Sequence, residues 1–242
     1  MEPGGLGRRA SSSLESAFRF PYPGPVADRT RARKLAAESL ARNDPVGWFE
    51  RLYAAAARGE ATVPWADRVP NPHVVAWLDR ERPRPGRALD VGTGLGDTAE
   101  ALAARGHDVV AFDVSASAVE ETRRRFPTGQ VRYEVADLLA PPAAWCGAFD
   151  LVVECYTLQV LPPDARARAV DALRGLVAPG GTLLVVARGR EPDEPPGEMP
   201  WPLTRAEVEG IAGGGVVLEA FEDFADDEAP PVRRFRAAFR RR

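Results

Sequence analysis

The sequence predicts an α/β fold: a parallel sheet with helices on both faces and a helical segment ahead of the first strand. Three observations carry it. Ala88-Leu89-Asp90-Val91 is a short apolar strand that runs through Gly92-Thr93-Gly94-Leu95-Gly96 into a helix beginning near Asp97. Strand-like and helix-like segments then alternate as far as Ala187. The second strand of the series, 108–113, ends in an acid about twenty residues beyond the glycine turn.

Residues 1–25 are rich in Gly, Ser and Pro, and their apolar residues have no period, so a disordered tail is expected. Docking of Phe18, Phe20 or Tyr22 on the domain is the alternative. Residues 26–83 are expected to form a helical cover. Within it, 29–42 reads as a helix anchored by Leu35 and Leu40. Asp44-Pro45 supplies an N-cap and a proline at the first helical position. The helix that follows, 45–58, sets Trp48, Phe49, Leu52 and Tyr53 on one face. That face either packs on the sheet or roofs a ligand pocket. The prolines between Pro64 and Pro72 keep the path extended and hold Trp65. A further helix starts at His73.

Residues 84–242 form the main domain. Its third strand, 130–135, leads into Ala136-Asp137-Leu138, and the fourth, 149–154, leads into Cys155-Tyr156. A crossover helix over 164–177 follows. Pro179-Gly180-Gly181 then opens the fifth strand, 182–187. The proline-rich loop 188–202 leaves the carboxyl end of that strand, where ligand contacts are expected. Thr204 and Glu207 make a capping box for a helix ending at Gly210. Segments 216–224 and 233–240 read as a closing antiparallel pair.

The strand, glycine turn and helix form the first unit of a nucleotide-binding α/β domain. A dinucleotide loop wants G-x-G-x-x-G, but its third glycine position holds Asp97, whose carboxylate competes with a pyrophosphate for the exposed helix amides. This disfavours a nicotinamide-dependent oxidoreductase. The pattern present, D-x-G-x-G-x-G, with the acids at its fixed spacings, resembles motif I and its successors in the class I S-adenosylmethionine (SAM) methyltransferases. SAM has no phosphate. The resemblance covers 88–187 and implies a Rossmann-like sheet of order 3-2-1-4-5-7-6. It also implies that SAM is held by Asp90, Gly92, Thr93, Gly94, Asp113, Val114, Ala136, Asp137, Leu138 and Glu154. Asp113 is expected on the ribose hydroxyls and Asp137 on the adenine amino group, with a backbone donor from Ala136. The Thr98 hydroxyl is a further candidate contact.

Ahead of the first strand, a helical Trp, then Gly59, then Pro64-Trp65-Ala66-Asp67 looks like the thiopurine and halide/thiol methyltransferases. Pro200-Trp201-Pro202 resembles their Gly-Pro-Pro-aromatic turn, although the glycine loop here lacks the Cys and extra Gly of many relatives. The likeness implies that Trp65 lies over the cofactor, and that Trp48, Trp65, Tyr156, Arg188 and Trp201 border the acceptor.

Methyl transfer from a sulfonium is an in-line displacement, governed by approach geometry and water exclusion. A base is needed only if the nucleophile arrives protonated. His107 and His73 fall outside the site stretches and read as structural. Glu154 and Tyr156 are the candidate catalytic residues. A carboxylate held by backbone amides at the strand end is the equal alternative for Glu154. Cys155 reads as a pocket wall. No metal-ligand set is expected. No sizeable substrate domain lies outside the core, so the acceptor is expected to be small, and an easily ionised thiol (pKa about 8.5) suits a site without a histidine base. An O- or N-methyltransferase and a SAM-binding protein without turnover remain open. A net charge of −3 argues against nucleic acid as partner. The absence of any apolar run of spanning length argues against a membrane partner. Two isolated cysteines, Cys146 and Cys155, point to a reducing, cytoplasmic setting. The residues leave the oligomeric state open.

Overall fold

The computed structural model describes residues 29–242, so the expected tail, 1–25, lies outside the described residues. Three helices precede the sheet: α1 (Thr30–Leu40), α2 (Gly47–Ala57) and α3 (Pro72–Glu81). The alternating part then runs β1 (Arg87–Val91), α4 (Asp97–Ala103), β2 (Asp108–Asp113), α5 (Ala116–Arg125), β3 (Arg132–Val135), β4 (Phe149–Cys155), α6 (Pro163–Leu176) and β5 (Val177–Arg190). The chain ends with β6 (Leu203–Thr204), α7 (Arg205–Glu209), β7 (Val216–Ala225) and β8 (Arg233–Arg241).

The long strands lie in the order β3-β2-β1-β4-β5-β8-β7, and the two-residue β6 pairs with the end of β5. Counting only the long strands, this is the expected 3-2-1-4-5-7-6. β1 to β5 are parallel, and β8 is antiparallel to both of its neighbours. Parallel strands buried on both faces account for the apolar runs of β1, β2 and β5.

Two boundaries differ from the sequence reading. Helix α2 begins at Gly47, so Pro45 is not its first residue. The Asp44 carboxylate accepts from the amides of Val46 and Gly47 (3.2 and 2.7 Å), closing a turn before the helix starts. Strand β5 continues to Arg190, held by β8 as far as Arg188 and by β6 at Gly189 and Arg190. The first residues of the expected loop are therefore strand.

Three apolar clusters organise the molecule. One joins α6 and α7 to one sheet face, with Phe149, Leu173 and Phe239 at its centre. The second joins α3, α4 and α5 to the other face through Val74, Leu102 and Val119. The third belongs to the cover: α1 and α2 with Val63 and Ala66, closed against Leu95, Ala118 and Met199. Segment 26–83 is thus divided in its packing, because α3 is part of the sheet's helical layer. No described helix is long and apolar enough to cross a membrane. A groove lined by Trp77, Asp150, Thr182 and Arg240 lies at the opposite end of the sheet from the glycine loop.

Candidate active site

At the carboxyl end of β1 the chain turns through Gly92, Gly94 and Gly96, all with positive φ (65°, 56° and 85°). At two of these, space as well as φ excludes a side chain. A Cβ on Gly92 would lie 2.5 Å from the Thr157 hydroxyl oxygen, and one on Gly96 would lie 2.4 Å from a Thr122 methyl. The Gly94 amide donates to Asp113 Oδ2 (3.0 Å), and the Ser115 amide donates to Asp113 Oδ1 (2.9 Å). The acid at the end of β2 therefore clamps the glycine loop while retaining acceptor lone pairs. The Thr93 hydroxyl donates to Asp90 Oδ2 (2.7 Å). Burial pushes the Asp90 carboxyl up to about 7 and the Asp113 carboxyl up to about 6.

Val114 continues from Asp113, and the Ala136 amide donates to the Asp113 carbonyl (3.1 Å). Asp137 Oδ1 accepts from the Leu139 amide (2.8 Å) and holds the turn that buries Leu138. These residues share the carboxyl edge of β2 and β3. Asp97 is bound in two-pronged fashion by Arg125 (2.7 and 2.8 Å), so the start of α4 is already neutralised. The Thr98 hydroxyl accepts from the Asn71 amide (3.2 Å) and ties α3 to α4.

Beyond β4 the chain doubles back in a tight turn. Glu154 is fully buried, and its Oε1 accepts from the amides of Thr157 and Leu158 (2.7 and 2.9 Å). Its Oε2 is buried without a hydrogen-bond partner. Desolvation pushes this carboxyl up to about 7. Tyr156 adopts φ 65°, a left-handed conformation that costs a non-glycine residue about 1–3 kcal/mol. Its amide donates to the Val186 carbonyl (3.0 Å), and its ring lies under the Arg234 guanidinium (5.1 Å). Burial raises both the Tyr156 hydroxyl and the Cys155 thiol, which makes Cys155 a poor nucleophile. The neighbouring Gln159 accepts from the Arg188 amide through its side chain and from the Trp201 amide through its carbonyl (2.8 Å each).

The cover meets these two edges through α2. Trp65 Nε1 donates to the Tyr53 hydroxyl (2.9 Å), and that hydroxyl lies 3.0 Å from where a Gly94 Cβ would be. Trp65 and Trp201 are both half-buried and pack on the cover cluster. The expectation that Trp48 borders the acceptor needs correction. Its ring is 1% exposed, stacked on Phe49 at 3.9 Å and edge-on to Trp65 at 5.8 Å. It fills the cover's own core and supports Trp65. The histidines stand away from the glycine loop: His107 Nδ1 accepts from the Gly86 amide (3.4 Å), and His73 lies beside Asp226 and Phe224. The α3 cap is Asn71, not His73.

Two contributors were not assigned to the site from the sequence. Glu50 accepts from the Ser115 hydroxyl, the Ser117 amide and the Ser117 hydroxyl (2.7, 3.0 and 2.6 Å), fastening α2 to the start of α5. In sequence it is only an acid in the first turn of a helix. Tyr53 reached the loop from a helix face read as either packing on the sheet or roofing a pocket, with no contact assigned to Tyr53 itself. In neither case does local spacing show the partner.

A glycine loop clamped by a buried acid, a second acid at the next strand end and a helix start already neutralised are the arrangement expected of a class I SAM-methyltransferase domain. The bare glycine cradle and the free lone pairs of Asp113 fit a ligand with vicinal hydroxyls and no phosphate. Residues 88–181 match the family model described as a methyltransferase domain. The chain is 33% identical over 88 residues to a thiopurine S-methyltransferase of Vibrio vulnificus (strain YJ016), covering 35% of this chain and 39% of that protein. It is 27% identical over 182 residues to a probable thiol methyltransferase 2 of Arabidopsis thaliana, covering 74% and 77%. Among solved structures it resembles the N-methyltransferase NodS of Bradyrhizobium japonicum WM9 in complex with S-adenosylhomocysteine, with TM-score 0.62 and 20% identity over 81% of this chain and 98% of that one. The match to the Vibrio protein thus spans well under two thirds of that relative's length.

Proposed function

We propose that this protein transfers the methyl group of SAM to a small-molecule nucleophile, a thiol or a group ionised as easily. The observation that carries the reading is the Asp113 clamp on Gly94 with Asp97 neutralised by Arg125, an edge built for a nucleoside without phosphate. Similarity to thiopurine and thiol methyltransferases supports sulfur as the acceptor atom. When bound, SAM supplies a sulfonium methyl that is displaced in line.

The chain's own residues then have separate tasks. Asp113 takes the ribose hydroxyls and Asp137 takes the adenine amino group. The Ala136 amide, expected as a second adenine donor, is instead spent on the Asp113 carbonyl and fixes the turn. Asp90, Thr93, Val114 and Leu138 shape the cradle. Trp65, steadied by Tyr53, closes it from above and excludes water. Glu154 holds the turn through Oε1, and its unpartnered Oε2, with a proton affinity near neutrality, takes the acceptor's proton. Tyr156, Arg188 and Trp201 border the acceptor.

The test is S-adenosylhomocysteine formation on mixing the full chain with SAM and a panel of thiols, phenols, amines and halides. Turnover is expected with thiols. Turnover restricted to phenols or amines would move the reading to O- or N-methylation. Tight SAM binding with no turnover by any acceptor would make the protein a SAM-binding module. Glu154→Gln keeps an oxygen for both turn amides, so it should fold, bind SAM as before and lose about ten- to a hundred-fold in kcat.

A further inference from the structure

Two half-buried arginines at the acceptor end have no hydrogen-bonded or ion-paired side-chain partner among the described residues. Arg188 lies at the carboxyl end of β5, in register with Arg234 of β8 and two residues beyond Val186, which holds Tyr156. Its amide is fixed by the buried Gln159 side chain (2.8 Å), so the guanidinium starts from a rigid base. Arg29 stands at the N-cap of α1, within electrostatic range of Arg188. One turn on, the Arg33 side chain holds the Met199 carbonyl (2.9 Å) on the segment that runs into Trp201, and so to the Gln159 that fixes Arg188. The contrast with their neighbours is informative. Arg234, in the same register row, is bonded to Asp226 at 2.6 Å and to Glu228. Arg33, one turn along α1, pairs with Glu198 at 2.7 Å. Among the described residues neither Arg29 nor Arg188 forms a side-chain hydrogen bond or an ion pair, although Glu228 lies within electrostatic range of both and Asp67 within range of Arg29.

Holding two guanidinium groups half out of water, near each other and with no carboxylate bonded to either among the described residues, costs free energy in the ligand-free protein. Burial and the charges of Arg188 and Arg33 lower the proton affinity of Arg29, and burial with the charge of Arg234 lowers that of Arg188. Such an arrangement is stabilised by an anion, and a planar carboxylate matches the guanidinium fork best.

We propose that Arg29 and Arg188 form an anion subsite of the acceptor pocket, and that the acceptor carries a carboxylate held between them. This rests on the reading of the site as a methyltransferase acceptor pocket. Trp201, whose amide shares Gln159 with Arg188, would then cover the body of the acceptor.

The first measurement needs no turnover. Calorimetry on the full chain saturated with S-adenosylhomocysteine compares 3-mercaptobenzoate, its methyl ester and thiophenol. The acid is expected to bind at least ten-fold tighter than either neutral probe. The double variant Arg29→Gln/Arg188→Gln should lose that preference and keep its SAM affinity. Its ligand-free melting temperature should hold or rise, because a repulsive pair is removed. A merely structural pair would lower the melting temperature instead. Arg188→Lys, which keeps the charge but not the fork, should retain a weakened preference. Equal binding of acid and ester, no binding of any probe, or a preference that survives in the double variant overturns the subsite. Carboxylate preference with no methyl transfer to any acceptor leaves the subsite standing and sinks the methyl-transfer reading. Thiol turnover indifferent to the carboxylate does the reverse.

Discussion

The two halves of the sheet's carboxyl edge are built in opposite ways. Over β1 to β3 the groups aimed at the edge are acids, Asp90 and Asp113, bound by hydrogen bonds from within a few residues of the glycine loop. Over β5 and β8 arginines stand at the edge, and the strands that bring Arg188 and Arg234 side by side are far apart in sequence. The first half is a local device, since one turn and the next strand end suffice to make it. The second is assembled by topology, with contributions from α1, the β4 turn and the closing antiparallel strand. A locally built geometry suits a fixed cofactor, whereas an edge assembled from distant segments is free to change with the acceptor.

The largest effect should come from breaking the local half. Asp113→Ala removes the clamp on Gly94 and the acceptor proposed for the ribose hydroxyls. Charge-assisted hydrogen bonds contribute about 1.5–3 kcal/mol each, so SAM affinity should fall by one to two orders of magnitude or more in calorimetry. Acceptor selectivity among the molecules that remain substrates should not change. Unchanged SAM affinity would remove Asp113 from the site.

Next in size is a pH effect confined to the same half. The Asp113 carboxyl is raised by burial to about 6 in the ligand-free fold. Its folded value exceeds its unfolded one, so its contribution to ligand-free stability is fully present below the unfolded pKa and is lost as pH rises through about 6. Asp90 and Glu154, both raised to about 7, act in the same direction. Ribose hydroxyls need the ionised carboxylate, so SAM affinity should run the other way. It should climb by up to ten-fold per pH unit below 6 and level off above it. Asp113→Asn should flatten that slope. An affinity that falls with pH would contradict the ribose assignment.

This division also marks what was legible in the sequence. The glycine loop and the acid at 113 follow from spacing, because the Asp113 clamp joins the glycine loop to the next strand end of the same motif. The strand order and the acid at 137 come instead from the family resemblance those motifs carry. Glu50 was not legible. Its three hydrogen bonds reach residues 115 and 117 across the cover interface, and only the packing of α2 on α5 creates them. Trp48 misled for a related reason. Helical spacing shows that a face is apolar but not which of its side chains faces ligand and which faces the cover's own interior. Arg29 reads as the first residue of a helix and looks like one arginine among many. That it has no ion-pair partner among the described residues emerges only when Glu198, Asp226 and Glu228 are seen to be taken by other arginines.

A smaller effect should separate the cover from the sheet. Glu50→Ala leaves the Ser117 amide without its acceptor and unties α2 from α5. A loss of about 1–3 kcal/mol is expected, the cost of orphaning a part-buried donor. Hydrogen exchange should show it as faster opening of α1 and α2, while β1 to β5 keep their protection. Equal loss of protection in both regions would mean that cover and sheet open as one unit.

The finest distinction concerns the two tryptophans that pack on the cover cluster from different segments. Trp65 is bonded to Tyr53, which touches the glycine loop, so it belongs with the local half. Trp201 is bonded through its amide to Gln159, which also fixes Arg188, so it belongs with the distant half. Trp65→Ala should therefore weaken SAM binding and lower turnover together. Trp201→Ala should spare SAM affinity and raise the acceptor KM several-fold, or change which acceptors are used. Both variants should lose some stability, since each removes a half-buried ring from an apolar cluster. Melting temperature alone thus does not discriminate. The decisive comparison is the ratio of acceptor KM to SAM affinity in each variant. A Trp201→Ala protein that melts earlier yet keeps wild-type acceptor kinetics would show that this ring only fills space between cover and sheet, and the acceptor pocket would then have to be sought nearer Tyr156.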